Sequence, residues 1–478
     1  MDTASFQFVC FGLAAALVSN FSRSPLWRSL VLAAASILFL GLLVHSPAAF
    51  LPMAGFLLLG YLAIKLVERG WSRLLPALLV AVIFAYIWLK KYTLLPNALL
   101  LHSAYFTLGL SYIFFRVLHV LIETADADPK KPLGLGPYLL YLLNFTTFVS
   151  GPIQRYDEFA QEQFAADPAP LDARVVGLQI ERIIRGFFKV NVLAMIFNAV
   201  HQDAVAQIYQ PLTPADKMYA ALRLAAAYPI FLYFNFSGYI DIVIAIARLM
   251  RVRLPENFNR PFSASNVLDF WNQWHITLSN WLKTYVYNPL LVALMRRIPS
   301  PAWQPFLGVF CFFVTFFLIG IWHGRTSEFI FFGFVTGAGM SVNKLWQIAL
   351  AKSMGRKQYK ALAANPLYVA LGRGLNFAWF AFTLFWFWGS WIDTKRIFSA
   401  FTPVQWLAIW TAAVVLAAIV LALWEWLRTA LLSIRTAGGP VLTSRYARVV
   451  YASALGLAGI VITVLLNQPA PGIVYKAF

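Results

Sequence analysis

The sequence predicts an all-α polytopic membrane protein of roughly 11–14 transmembrane or re-entrant helices. Three observations lead there. Charged residues make up only 12% of the 478-residue chain, against about 25% in soluble globular proteins. Mean hydropathy is +0.69. Runs such as Phe306–Trp322, Val404–Trp424 and Val449–Leu466 reach the roughly 17–25 residues that carry a helix across a bilayer.

Taken in order, segments of spanning or near-spanning length lie near residues 5–20, 27–44, 47–64, 74–89, 99–121 and 137–152. Others lie near 183–200, 219–247, 306–322, 329–349, 375–392, 404–424 and 449–466. They read as one membrane-embedded domain over residues 1–478. Within it fall N-terminal helices (5–122), a core (137–350), C-terminal helices (375–466) and a tail (467–478). The N-terminus opens with Asp2 and lacks a basic stretch, so it does not read as a signal peptide. Thr124–Pro137, "TADADPKKPLGLGP", is a Pro/Gly-rich connector. Asp126 and Asp128 lack the remaining ligands of a calcium loop. No Gly-Lys-Ser/Thr follows the glycines, so they form no phosphate loop. No fixed-period repeat is visible, which counts against a repeat-built transporter.

Net charge is +19. In a membrane protein this excess belongs to cytoplasmic loops and anionic headgroups. No nucleic-acid-binding signature accompanies it, and no nucleic-acid partner is expected. Lys352, Arg356, Lys357, Lys360 and Arg373 share one loop without an acid; Arg428, Arg435, Arg445 and Arg448 share another. Arg296 and Arg297 precede a third span. The positive-inside rule places all three sets in the cytoplasm, which puts the tail Asn467–Phe478 outside. The 17 tryptophans suit interfacial belts. Cys10 and Cys311 lie in apolar runs and predict neither a disulfide nor a metal site.

Two histidines stand out. Asn266–Leu290 reads "NVLDFWNQWHITLSNWLKTYVYNPL". Ser265 or Asn266 can cap a helix, Asp269 sits in its first turn and Pro289 ends it. At about 100° per residue, Trp271, Trp274, Leu278, Trp281, Leu282 and Tyr285 form one stripe, with polar residues opposite. His275 falls inside the apolar stripe of this amphipathic, interfacial or re-entrant helix. A hydrogen-bonded core histidine is the plain alternative. His323 ends the run "FLIGIWHGRTSEF", bracketed by Gly320 and Gly324, which let backbone or substrate approach closely. Ionisable residues at membrane depth are costly and usually functional. A headgroup-level histidine is the alternative there.

Three blocks together resemble the membrane-bound O-acyltransferase family, in the bacterial branch that modifies polysaccharides and teichoic acids. They are "FVSGPIQRYDEF" (Phe148–Phe159), the stretch Tyr233–Leu290, and "GIWHG" (Gly320–Gly324). The resemblance covers roughly residues 100–350 and implies a ring of helices around a thin catalytic core. It implies His323 as the catalytic histidine and His275 as its assistant. Trp322, Asn272, Trp274, Ser279, Asp241 and Arg155 fall in the same blocks and are expected to bind substrate or shape the site. Asn272 and Gln273 stand where alginate-type members usually carry two arginines, and "NPLLVALMRR" replaces a Pro-Leu-Gly-Gly turn. Both departures leave the donor and the branch open. Asp241 and Arg248, seven residues apart on one helix face, read as a structural ion pair. Arg155 reads as a donor-headgroup contact or a cytoplasmic-edge anchor.

Acyl transfer from a thioester to a hydroxyl needs a base for the hydroxyl proton and stabilisation of an oxyanion. His323 takes the first role; His275 would position the thioester or polarise its carbonyl. The tail "PGIVYKAF" resembles the branch's Phe-x-Tyr-x-x-Phe ending, with Ile473, Tyr475 and Phe478 in those places. That makes Tyr475 a possible acyl relay, with an interfacial aromatic as its alternative. The resemblance implies no bound cofactor or metal. Acyl-CoA, above all acetyl-CoA, or an acyl-carrier-protein thioester would be the donor. The bacterial cytoplasmic (inner) membrane would be the location. A polysaccharide or cell-wall polymer would be the acceptor, and an extracytoplasmic partner with a serine-esterase-like (SGNH) domain would complete the transfer. A D-alanyl transferase of the same family is the nearer rival, and a transporter or lipid flippase the more distant one.

Overall fold

The computed structural model describes residues 5–44, 46–126, 132–436, 439–440, 444–466, 472 and 474. Tyr475 and the rest of the relay motif, and Asp128 of the connector, lie outside the described residues. The helices divide between two compact units. One comprises the chain up to Phe187 together with Gly238–Glu256 and Gly472 onward; the other comprises Phe188–Ser237 and Asn257–Pro471.

The first unit begins with α1 (Phe6–Ser19), α2 (Pro25–Leu43), α3 (Pro47–Glu68) and α4 (Leu75–Leu89). Prolines open α2, α3 and α4, where a missing N–H costs nothing. α5 (Leu110–Ala125), α6 (Leu135–Leu142), α7 (Tyr156–Gln163) and α8 (Ala173–Phe188) follow. Phe8, Phe39 and Phe145 pack with ring centroids 5.8–6.4 Å apart.

The expected span near 137–152 does not form. α6 stops at Leu142, and the chain runs on as turns. The Asn144 side chain accepts from the N–H and hydroxyl of Thr146, a local bond that competes with the helix, and Gly151–Pro152 closes off continuation. Buried Arg116 holds this loop by donating to the carbonyls of Tyr141, Leu142 and Thr147. His119 Nε2 accepts the Tyr156 N–H at 3.2 Å. Two ionisable residues of α5 therefore hold the chain here, Arg116 the loop that leads into the first motif block and His119 the block itself.

The long helix α10 (Pro214–Leu249) supplies residues to both units, and α9 (Ala194–Ile208) continues α8 through a π-turn at Lys189–Leu193. The second unit adds α11 (Val267–Trp271), α12 (Ile276–Leu282) and α13 (Asn288–Arg297). α14 (Gln304–His323) and α15 (Ser327–Ser353) then pair as a hairpin, followed by α16 (Arg356–Ala364), α17 (Pro366–Thr383), α18 (Phe385–Trp388) and α19 (Trp391–Ser399). The run read as one span near 375–392 is thus α17 plus the short α18. α20 (Pro403–Ser433) and α21 (Arg445–Leu466) complete the helices. The strand pairing among the described residues is a two-residue ladder, Arg435–Thr436 with Gly439–Pro440. Among the described residues, eight helices are long and apolar enough to cross a membrane, fewer than the apolar segments counted in the sequence. Several of those segments, such as α1 and α5, form shorter helices.

Candidate active site

The segment read as one amphipathic helix is broken at its histidine. Asn266 caps α11, its side chain accepting the Asp269 N–H. The chain then turns, and His275 takes φ +46°, ψ +51°. This left-handed region costs a residue with a Cβ about 1 kcal/mol or more and is held only by its surroundings. α12 starts after His275, a π-turn follows at Lys283–Tyr287, and Pro289 sits in the first turn of α13 instead of ending a helix.

The break is imposed from outside the segment. Asn257–Asn259 runs antiparallel to Gln273–Ile276, with Phe258 and Trp274 bridged. The Asn259 N–H donates to the Gln273 carbonyl at 2.9 Å, and the Ile276 N–H to the Asn257 carbonyl at 3.0 Å. Asn257 is fully buried. Its Oδ1 accepts the Thr277 N–H at 3.1 Å and the Thr277 hydroxyl at 2.9 Å, and it faces His275 Nδ1 at 3.3 Å. His275 itself is 1% exposed. Burial pushes its imidazole down to about 3, so the ring is neutral at physiological pH.

His323 closes α14. Gly324 is extended, and Thr326 caps α15 as the chain turns back. Gly320 and Gly333 let the two helix backbones touch: a Cβ on Gly320 would overlap the backbone of Gly333. Of the two approaches that glycines permit, backbone is the one Gly320 serves. The His323 ring, 2% exposed, packs against Trp322, Phe387 and Phe332 at 4.8, 5.2 and 5.9 Å. The His275 ring lies 5.0 Å from Phe236 and 6.2 Å from Trp322. Trp322 is thus a wall shared by both imidazoles.

The remaining expected residues divide. Trp274 is buried among Phe258, Phe270 and Phe380 and braces the histidine turn. The Ser279 hydroxyl donates to the Trp274 carbonyl at 3.5 Å. Asn272 is exposed. Asp241 and Arg155 belong to the first unit. Arg155 pairs with Glu123. The Asp241–Arg248 pair does not form. Arg182 Nε donates to Asp241 at 2.9 Å and its other nitrogens grip Glu256, with Arg185 at 3.6 Å from Asp241. Arg248 instead donates to the Pro170 carbonyl at 2.6 Å. Seven residues share a helix face but stand about 10 Å apart along the axis, and α8 offers a nearer guanidinium.

Asn257, Arg116 and His119 were not singled out in the sequence. The signal for the last two was present: ionisable residues inside the apolar run "SYIFFRVLHVLIE". Nothing local marks Asn257, because its partners lie 18 and 20 residues ahead.

A family model for the membrane-bound O-acyltransferase family matches residues 80–382, a range that contains both histidines and Asn257. The chain is 28% identical over 288 residues to the teichoic acid D-alanyltransferase of Bacillus subtilis (strain 168), covering 59% of this chain and 69% of that protein. It is 29% identical over 243 residues to the probable alginate O-acetylase AlgI of Pseudomonas syringae pv. tomato, covering 50% and 42%. It is 32% identical over 216 residues to the peptidoglycan O-acetyltransferase of Helicobacter pylori, covering 45% and 38%. The matches to the latter two relatives span less than half of those proteins' length.

Proposed function

The chain belongs to the membrane-bound O-acyltransferase family, and we propose that it moves an acyl group, acetyl from acetyl-CoA, across the inner membrane for O-acylation of an extracytoplasmic polymer. One observation carries the reading: two buried imidazoles, His275 and His323, share the Trp322 wall within the family-matched region. Buried ionisable rings at such depth are expensive unless used.

His323 is the general base. It takes the proton of the acceptor hydroxyl as the oxygen bonds to the thioester carbonyl carbon. The tetrahedral intermediate then collapses, the C–S bond breaks, and the departing thiolate receives the proton from the imidazolium. The basic loops orient the chain so that the thioester arrives from the cytoplasm. Tyr475 is the first acceptor, and a partner with a serine-esterase-like domain passes the group to a polysaccharide or cell-wall polymer. The similarity to teichoic acid D-alanyltransferases favours one second reading, a D-alanyl group delivered by a carrier protein.

The test is turnover of labelled acetyl-CoA and of labelled D-alanyl carrier protein in membranes, with mass spectrometry of the tail. His323→Ala is expected to lose about 10²–10⁴-fold, and wild type to carry the ester on Tyr475. Unchanged turnover in His323→Ala removes the base; no adduct with full activity in Tyr475→Phe removes the relay. The donor that turns over decides between acetyl and D-alanyl.

A further inference from the structure

Asn257 Oδ1 bears on which nitrogen of His275 carries the proton. The backbone N–H of Thr277 is a compulsory donor, so the atom it meets at 3.1 Å is an oxygen. His275 Nδ1 faces that same oxygen at 3.3 Å, beside the Thr277 hydroxyl at 2.9 Å, and an N–H is the form of Nδ1 that an acceptor oxygen attracts. A neutral imidazole has one donor and one acceptor, so Nε2 is the acceptor. In this tautomer the ring cannot donate a hydrogen bond from Nε2 to a thioester carbonyl. The carbonyl-polarising role expected of His275 passes elsewhere.

The Nδ2 group of Asn257 is buried without a hydrogen-bond partner among the described residues. Leaving an amide donor unsatisfied there is costly. It sits on the same carboxamide that grips His275, so its position is set by the Thr277 and His275 bonds. A carbonyl oxygen brought to it would satisfy it, and preorganised amide donors of this kind stabilise developing oxyanions.

We propose that Asn257 is the oxyanion donor of this site, its Nδ2–H aimed at the thioester carbonyl, while its Oδ1 holds His275 as the Nδ1–H tautomer. The proposal rests on the reading of this site as a thioester acyltransferase. As the hydroxyl oxygen adds to the carbonyl carbon, the C=O electron pair moves onto oxygen and Asn257 stabilises that charge. The pair returns as the C–S bond breaks, and the hydroxyl proton travels through His323 to the thiolate.

The experiment uses the full chain in nanodiscs, with ¹⁵N-histidine NMR and steady-state kinetics on the donor that wild type turns over. Wild type is expected to show His275 protonated at Nδ1, with the signal identified by its loss in His275→Gln. Asn257→Asp keeps an acceptor for Thr277 and His275 but lacks both N–H donors. It is expected to lower kcat about 10²–10³-fold, with KM for the thioester within threefold and Nδ1 still protonated. Asn257→Ala is expected to lose the same kcat and the Nδ1–H preference as well. An Nε2–H tautomer in wild type, or wild-type kcat in Asn257→Asp, overturns the proposal. Wild type that turns over no thioester fails the functional reading instead, whatever the tautomer.

Discussion

Adding one methyl group at Gly320 tests how closely the catalytic geometry depends on the α14–α15 hairpin. In Gly320→Ala the new Cβ overlaps the Gly333 backbone and lies 2.9 Å from the Phe329 carbonyl oxygen, where ordinary contact begins at 3.4 Å. Both neighbours are main chain, so no side chain can swing away. The milder contact alone requires the helices to part by about half an ångström, and the overlap with Gly333 requires more. His323 lies one turn further along α14, and Phe332, the neighbour of Gly333, packs against its ring at 5.9 Å. A misplacement of about 1 Å costs about 10²-fold in rate, so turnover is expected to fall by at least about tenfold. Overpacking also costs about 1–3 kcal/mol of stability, read as a lower melting temperature in detergent. Gly324→Ala is the comparison: the three atoms nearest its Cβ all belong to the Phe329 side chain, so the clash there is with a side chain and not with main chain. The assay is labelled-thioester turnover on purified protein at matched folded fraction. Wild-type turnover and melting in Gly320→Ala would refute the reasoning.

Two further outcomes follow from the buried charges. Arg182 bridges Asp241 and Glu256 and is 16% exposed, so Arg182→Ala strands a buried carboxylate. It should destabilise by about 3 kcal/mol, the lower end of the range for a broken buried pair, because Arg185 remains 3.6 Å from Asp241; an unchanged melting temperature would contradict this. His275 is neutral in the fold until about pH 3, against an ordinary 6.5. The unfolded ring binds its proton below about 6.5 while the folded ring does not, so stability is lost as pH falls through that window. Between pH 7 and 5 the melting temperature of wild type should therefore drop more than that of His275→Gln; parallel curves would show that His275 is not the group responsible.

Much of this architecture is legible in local sequence because its cause is local. A 20-residue apolar run such as Gln304–His323 has few alternatives to a helix in a bilayer, and α14 forms over those residues. The burial of His275 follows from its place in an apolar stripe, and the structure keeps it buried although the helix that predicted it is broken. The failures share one origin. Asn144, Arg116, Asn257 and Arg182 act through hydrogen bonds to backbone or carboxylates remote in sequence or against the local period. Hydrophobic periodicity carries no information about such partners.

The amino-acid order by itself determined that the chain is helical and membrane-embedded, which follows from the hydrophobic content and spacing of neighbouring residues. His275 and His323 became candidates through the motif blocks that carry them. Only the tertiary structure decided that the two rings share Trp322, that Asp241 is paired from α8, and that His275 stands in a left-handed turn braced by Asn257. The tautomer proposed for that ring, and with it the proposed division of labour in the site, rests on a carboxamide 18 residues away. It became readable only when folding brought that oxygen within 3.3 Å of Nδ1.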